Sequence, residues 1–220
     1  MNNLEIESCL KKIIEESNDY KDLWSKFLQL YKLENICELG VYRGEFAKAL
    51  LKRCDSIKRY IMIDPWKNLV DWNKPANHKD NKFDAFYQET LEKTDFAKHK
   101  RVVLRGTTTE VINQIDDESL DFLFIDGDHT LKGISVDLIN AWKKVKKNGF
   151  IAGDDFCSSI WQHNISYEPT LVFPFAVYFA EAMNTTIYAL PHDQFLIVKV
   201  EDGFKFINFS NEDYKSDNIL

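Results

Sequence analysis

The sequence predicts an α/β protein built on a doubly wound, mostly parallel sheet with helices on both faces. Three observations predict it. From Asn35 onward, short apolar runs alternate with segments of helical spacing. The apolar runs are near-continuous, as in "LDFLFID" (Leu120 to Asp126), which marks strands buried on both faces. The first five strands also end in Gly or Asp: Gly40, Asp64, Gly106, Asp126, and Asp154 with Asp155. Ligands of open α/β sheets bind outside the carboxyl ends of the strands, so these tips outline one candidate site.

Two amphipathic helices come first, marked by Leu4, Ile6, Leu10, Ile13 and Ile14, then by Leu23, Trp24, Phe27, Leu28 and Tyr31. "NICELG" closes a strand on Gly40, and "GEFAKALLKRC" follows as a helix with Phe46, Ala47, Leu50 and Leu51 on one face. "RYIMID" is the second strand and "RVVLRG" the third. Pro65 to Lys100 between them is long for a connection, with a polar, aromatic loop and a helical segment near Phe83 to Thr94; loops of this length often serve as lids. A short helix at Glu110 to Ile115, the strand from Leu120, a helix carrying Leu131, Ile134, Leu138, Trp142 and Val145, and the strand "GFIAGDD" come next. A helix near Phe175 to Met183 precedes "TTIYAL" and "FLIVKV", a hairpin joined by "PHDQ". The sum is seven strands, with a helical cap over 1–33 and a ligand-binding domain over 34–220 in one compact unit.

A chain of 220 residues suffices for one sizeable core. Its net charge of −7 argues against a nucleic-acid or anionic-membrane partner, because phosphate contacts need clustered Lys and Arg. The basic run "KKVKK" (Lys143 to Lys147) before Asn148-Gly149 is expected to be a last helical turn with a Gly C-cap. Cys9, Cys37, Cys54 and Cys157 are scattered without a C-x-x-C, as expected of free thiols in a reducing compartment. The first residues carry acids throughout and lack the apolar stretch of a signal peptide. The most apolar window, Leu171 to Ala180, is too short to span a bilayer. A cytoplasmic protein is expected, and the aromatics around Leu171 to Phe179 hint at a homodimer.

"ELGVYRG" (Glu38 to Gly44) joins the first strand to the first helix after it. Gly40 permits a tight turn and a close backbone approach. The spacing is G-x-x-x-G with bulky Tyr42 inside, so a G-x-G-x-x-G pyrophosphate cradle is not expected. Glu38 would repel phosphate and suits a cationic ligand. This pattern resembles the first motif of class I S-adenosylmethionine-dependent methyltransferases, and the resemblance runs along nearly the whole chain from Asn35. It implies a Rossmann-like seven-stranded sheet with an antiparallel last strand, matching the "PHDQ" hairpin. It implies S-adenosylmethionine bound by Glu38, Gly40, Tyr42, Gly44 and Asp126, with Asp64 accepting from both ribose hydroxyls. Alternatively, Asp64 only forms a turn before Pro65. Thr107, Thr108 and Thr109 of "RGTTTE" would lie near adenine, or would cap the next helix.

"FIDGDH" followed by "GFIAGDD" looks like the subgroup holding catechol-type and macrolide-sugar O-methyltransferases. The resemblance implies that Asp126, Asp154 and Asp155 hold a divalent metal such as Mg²⁺. Three carboxylates at neighbouring tips repel one another, so a cation should lie among them, unless they only cap helices in solvent. Asp128 is expected to cap the helix after it. His129 stands where catechol-type enzymes place a lysine base; it is either a catalytic base, with Asp126 also catalytic, or an exposed residue of a first helical turn. Trp161 and His163 of "CSSIWQHN" would border the acceptor pocket, and Trp66 and Trp72 would close over the cofactor. The expected activity is O-methylation of a sugar or other hydroxylated small molecule. Metal-free methylation of nitrogen or carboxylate, and a binding protein without turnover, are the alternatives.

Overall fold

The computed structural model describes residues 3–214, without the side chain of Asn3; the outer ends of the two expected units, residues 1–2 and 215–220, lie outside the described residues. Among the described residues, eight strands form one sheet: β1 (Asn35–Leu39), β2 (Arg59–Asp64), β3 (Arg101–Arg105), β4 (Leu120–Ile125), β5 (Val145–Gly153), β6 (Thr186–Leu190), β7 (Gln194–Val198) and β8 (Lys205–Asn208). Their order is β3-β2-β1-β4-β5-β7-β6-β8. The chain winds one way through β1, β2 and β3 and the other way through β4 and β5, so β1 and β4 flank the switch point. β7 runs antiparallel to both neighbours, as the hairpin predicts. The expected count of seven is corrected to eight: Lys205–Asn208 pairs parallel with β6. This segment is short, with both ends exposed, so it carries little of the apolar signature by which a buried strand shows itself.

Two apolar layers sandwich the sheet, and successive residues of a strand feed opposite ones. Tyr60, Met62, Phe122, Phe124 and Leu196 face one layer; Ile61, Ile63, Leu123, Ile125 and Ile197 face the other. The first layer is closed by α1 (Asn3–Glu16), α2 (Tyr20–Leu30), α3 (Glu45–Arg53) and α4 (Asp80–Lys93). The second is closed by α5 (Thr108–Val111), α6 (Leu131–Lys144) and α7 (Val172–Ala182). Asp19 starts α2 by accepting from Asp22 N at 2.7 Å. The helix then lays Trp24 and Phe27 against Phe122 and Phe150, with ring centroids 5.3 and 4.9 Å apart. Full burial of each such side chain stabilises the fold by about 1.5–3 kcal/mol.

The basic run departs from expectation. Only Lys143 and Lys144 belong to α6; Val145 already pairs with Leu120, and the next matched pair is Phe122 with Phe150. The extra residues form a bulge, and the left-handed residue is Asn148 (φ 62°), not Gly149. Val145 is fully buried, and its burial draws the chain into the sheet early. Lys144 and Lys146 reach Asp117 and Asp121, each at 2.6 Å. All four cysteines are free. Among the described residues, no helix is long and apolar enough to cross a membrane.

Candidate active site

The turn after β1 is a cradle with little room. Gly40 has φ 84°, and a Cβ there would stand 1.9 Å from the Asp126 carbonyl oxygen. The close approach that demands glycine is therefore that of the chain leaving β4. Gly44 begins α3 at φ 70° against Thr90 of α4. Asp64 holds the turn together. Its Oδ2 accepts from Val41 N (2.9 Å) and Tyr42 N (2.8 Å), and its Oδ1 from Trp66 N (2.7 Å). Three of the roughly four acceptor positions of a carboxylate are thus taken by the backbone. Burial pushes the Asp64 carboxyl up, against the pull of these N–H groups. Tyr42 and Trp66 adopt left-handed backbone, and Trp66 Nε1 donates to Tyr42 O at 2.7 Å. Trp66 is wholly buried as a strut beneath the turn. Behind it, Glu38 accepts from the Tyr60 hydroxyl at 2.6 Å, and burial pushes its carboxyl up to about 8 despite that bond.

Beside this cradle, β4 and β5 deliver the acids. Asp126 N donates to Leu39 O and Asp154 N to Ile125 O, which locks the three tips in step. Asp155 takes a left-handed backbone (φ 58°) that carries its side chain back to His129. His129 Nδ1 lies 2.5 Å from Asp155 Oδ2, and Nε2 lies 3.5 Å from Asp126 Oδ1. Nε2 is buried and makes no hydrogen bond. Among the described residues, Asp126, His129 and Asp155 offer ligand atoms that all lie within 4.8 Å of one another. Burial would lower the His129 pKa, but Asp126 and Asp155 outweigh it and raise it to about 10. Asp154 stands outside that group. Its Oδ1 accepts from Gln194 Nε2 (2.5 Å) and Asp155 N (2.8 Å), and burial with the neighbouring acids pushes its carboxyl up.

Thr107 spends its N–H and hydroxyl on Glu110, at 2.7 and 2.9 Å, which is a helix-start role. Thr109 Oγ1 lies 3.2 Å from Thr107 Oγ1, and Thr108 supports the buried carboxyl of Asp137, which burial pushes up to about 7. Asp128 does not cap α6; Thr130 does, accepting from Gly133 N. Asp128 Oδ1 instead accepts from Trp72 Nε1 at 2.9 Å. The next two residues extend that contact. Asn73 N donates to Glu168 Oε2 at 2.9 Å, and the buried Lys74 Nζ donates to Glu168 O and Pro169 O at 2.8 and 2.9 Å. The loop before α4 is therefore latched onto the segment after β5. Trp161 is half exposed, and His163 rests edge-on against Tyr167.

Sequence reasoning missed three participants. Tyr20 opens α2 and stacks on Phe46 at 5.8 Å; burial and the charges of Asp126 and Asp154 push its hydroxyl up. Gln194 and Trp24 form a buried pair behind Asp154. A signal existed for Gln194 alone, as a polar residue opening an otherwise apolar strand.

The comparisons agree with this fold. No curated protein matches the chain. Among solved structures, the fold resembles that of a Staphylococcus aureus protein described as a caffeoyl-CoA O-methyltransferase: TM-score 0.62, 16% identity, covering 90% of this chain and 92% of that one. An O-methyltransferase from Bacillus cereus in complex with SAH gives a TM-score of 0.57 at 16% identity, covering 87% and 90%. The O-methyltransferase TomG from Streptomyces achromogenes, in complex with SAM, gives 0.58 at 14% identity, covering 88% and 90%. Residues 37–156, from the middle of β1 to just past the acidic pair, match the model of methyltransferase family 24, described as a methyltransferase domain. The chain belongs to that family, and so to the class I S-adenosylmethionine-dependent methyltransferases.

Proposed function

We propose that the protein methylates a hydroxyl oxygen of a small acceptor, a sugar or another hydroxylated compound, with help from a divalent cation. One observation carries this reading: the Asp64-held turn and the Asp126–His129–Asp155 group stand side by side where β1, β4 and β5 end. S-adenosylmethionine supplies a methyl group on a positively charged sulfur. Gly40, Tyr42 and Gly44 shape the turn that would take its methionine end, with Asp126 beside it and Glu38, bonded to Tyr60, behind it. Asp64 keeps one acceptor position for the ribose, and Thr108 and Thr109 stand on the adenine side. Asp126, Asp154 and Asp155 offer oxygens to a cation such as Mg²⁺; bound there, it would act as a Lewis acid on the acceptor hydroxyl. The proton leaves to a carboxylate, or to His129 once a bound cation offsets the acids that otherwise hold the imidazole protonated. Much of the rate would come from holding oxygen and methyl in line. The oxygen preference draws support from the names of the similar structures.

The test is twofold. Isothermal titration should show saturable binding of S-adenosylhomocysteine and none of NAD. A mass-spectrometric screen of sugars, catechols and other hydroxylated compounds should then show one added methyl group, lost in EDTA. Full turnover in EDTA would remove the cation, and methylation confined to amines or carboxylates would remove the oxygen acceptor.

A further inference from the structure

We infer that His129 is itself a metal ligand, through Nε2, and that Asp155 acts on it from behind rather than on the ion. This deepens the metal-assisted reading above and rests on it. The resemblance implies an all-oxygen trio, Asp126, Asp154 and Asp155. The geometry favours another set. Asp155 Oδ2 lies 2.5 Å from His129 Nδ1, so that nitrogen carries its proton toward Asp155. In the ion-free chain the two flanking acids keep a proton on the other nitrogen as well, and a bound cation would take the place of that proton on Nε2. Nε2 is buried, has no hydrogen-bond partner, and faces Asp126 Oδ1 at 3.5 Å. A proton fills the gap between Nε2 and Asp126 Oδ1 in the ion-free chain, and a cation bound there would be shared by the same two atoms. Ligands of one ion at 2.0–2.2 Å stand roughly 2.8–3.6 Å apart, and the observed separation falls in that range. A carboxylate bonded to the far nitrogen of a ligating imidazole is a recurrent arrangement, because it fixes the tautomer and strengthens the ligand. Asp154 is drawn the other way, its Oδ1 committed to Gln194 Nε2 and Asp155 N.

The chemical consequence is selectivity. Mg²⁺ prefers oxygen donors, whereas imidazole suits Zn²⁺, Co²⁺ and similar ions. With Nε2 engaged, the acceptor proton goes to a carboxylate and His129 is no longer the base.

Metal titration of the untagged full chain tests this without an acceptor. Co²⁺ and Zn²⁺ should bind at least about tenfold more tightly than Mg²⁺. His129→Ala should lose Co²⁺ binding by about 100-fold, and Asp155→Ala should weaken it by about 10–100-fold. Both variants should retain S-adenosylhomocysteine affinity, which also shows that they are folded. If His129→Ala keeps the Co²⁺ affinity, the inference fails and the all-oxygen metal reading survives. If the wild-type protein binds no divalent ion, the metal reading fails and this inference with it.

Discussion

Trp24 Nε1 donates to Gln194 Oε1 at 2.7 Å, joining α2 to the first residue of β7 across 170 positions of sequence. An indole N–H can only donate, so the Gln194 oxygen must face Trp24 and its NH₂ must face the other way. There it meets Asp154 Oδ1 and His192 O, at 2.5 and 2.8 Å. A flipped amide would set oxygen against two acceptors and NH₂ against the indole. The antiparallel register makes the encounter possible, since Gly153 pairs with Phe195 and the next residues out are Asp154 and Gln194. The N-terminal helices therefore reach the acidic tips by a chain of hydrogen bonds.

Trp24→Phe keeps most of the buried ring and removes the donor. It should cost about 1–3 kcal/mol, because Gln194 Oε1 is left unsatisfied in the core. Gln194→Met strands the indole N–H and releases Asp154, with a loss of similar size. The double variant should cost less than the sum, by about 0.5–3 kcal/mol of coupling. Urea denaturation measures all three, and strict additivity would mean that the two residues do not act as a pair.

Asp64→Ala should weaken S-adenosylhomocysteine binding by about 1.5–3 kcal/mol, since it removes a charged acceptor and lets the turn relax. It should also lower stability, as Val41, Tyr42 and Trp66 each lose an acceptor for N–H. Calorimetric titration at neutral pH reads the first effect. An unchanged affinity with lowered stability would leave Asp64 a purely turn-holding role.

Gly40→Ala forces a methyl group onto the Asp126 carbonyl in a left-handed conformation. Neither backbone can yield without unlocking β1 from β4. Loss of cofactor binding is expected, with destabilisation of more than about 2 kcal/mol. Near-native melting and binding would show that the two tips are looser than the hydrogen bond from Asp126 N to Leu39 O implies.

Stability of the ligand-free protein should fall as pH rises through neutrality. Glu38 and Asp137 are fully buried, and burial pushes their carboxyls up to about 8 and about 7, from ordinary values of 4.5 and 3.8. Between the ordinary and the raised values the folded chain holds protons that the unfolded chain has released, so folding is favoured on the acid side. That advantage is present in full below the ordinary values and disappears once pH passes the raised ones. Urea midpoints at about pH 5.5 and about pH 8.5 should therefore differ, and Glu38→Gln should shrink the difference. A midpoint that rises with pH across this window would contradict the burial assigned to these groups.

What the sequence determined by itself was carried by short-range pattern. The apolar runs from Ile36, Tyr60 and Phe122 are continuous because both sheet faces are covered, and the helices show a 3.6-residue period because one face is. The polar tips at Gly40, Asp64, Asp126 and Asp154 were legible because strand ends must turn from core to solvent. The tertiary structure alone decided which of these meet and through which atoms. Gly40 is constrained by Asp126, Asp64 by its own turn, His129 by Asp155, and Asp154 by Gln194. Each of these contacts depends on strand order, on the register of β5 with β7, or on a left-handed residue such as Asp155. β8, only four residues long, is placed as a strand by pairing with the edge of β6, which seats Phe206 on one layer and Ile207 on the other. Periodicity fixes which face a residue takes; hydrogen bonds between distant segments fix what it can do there.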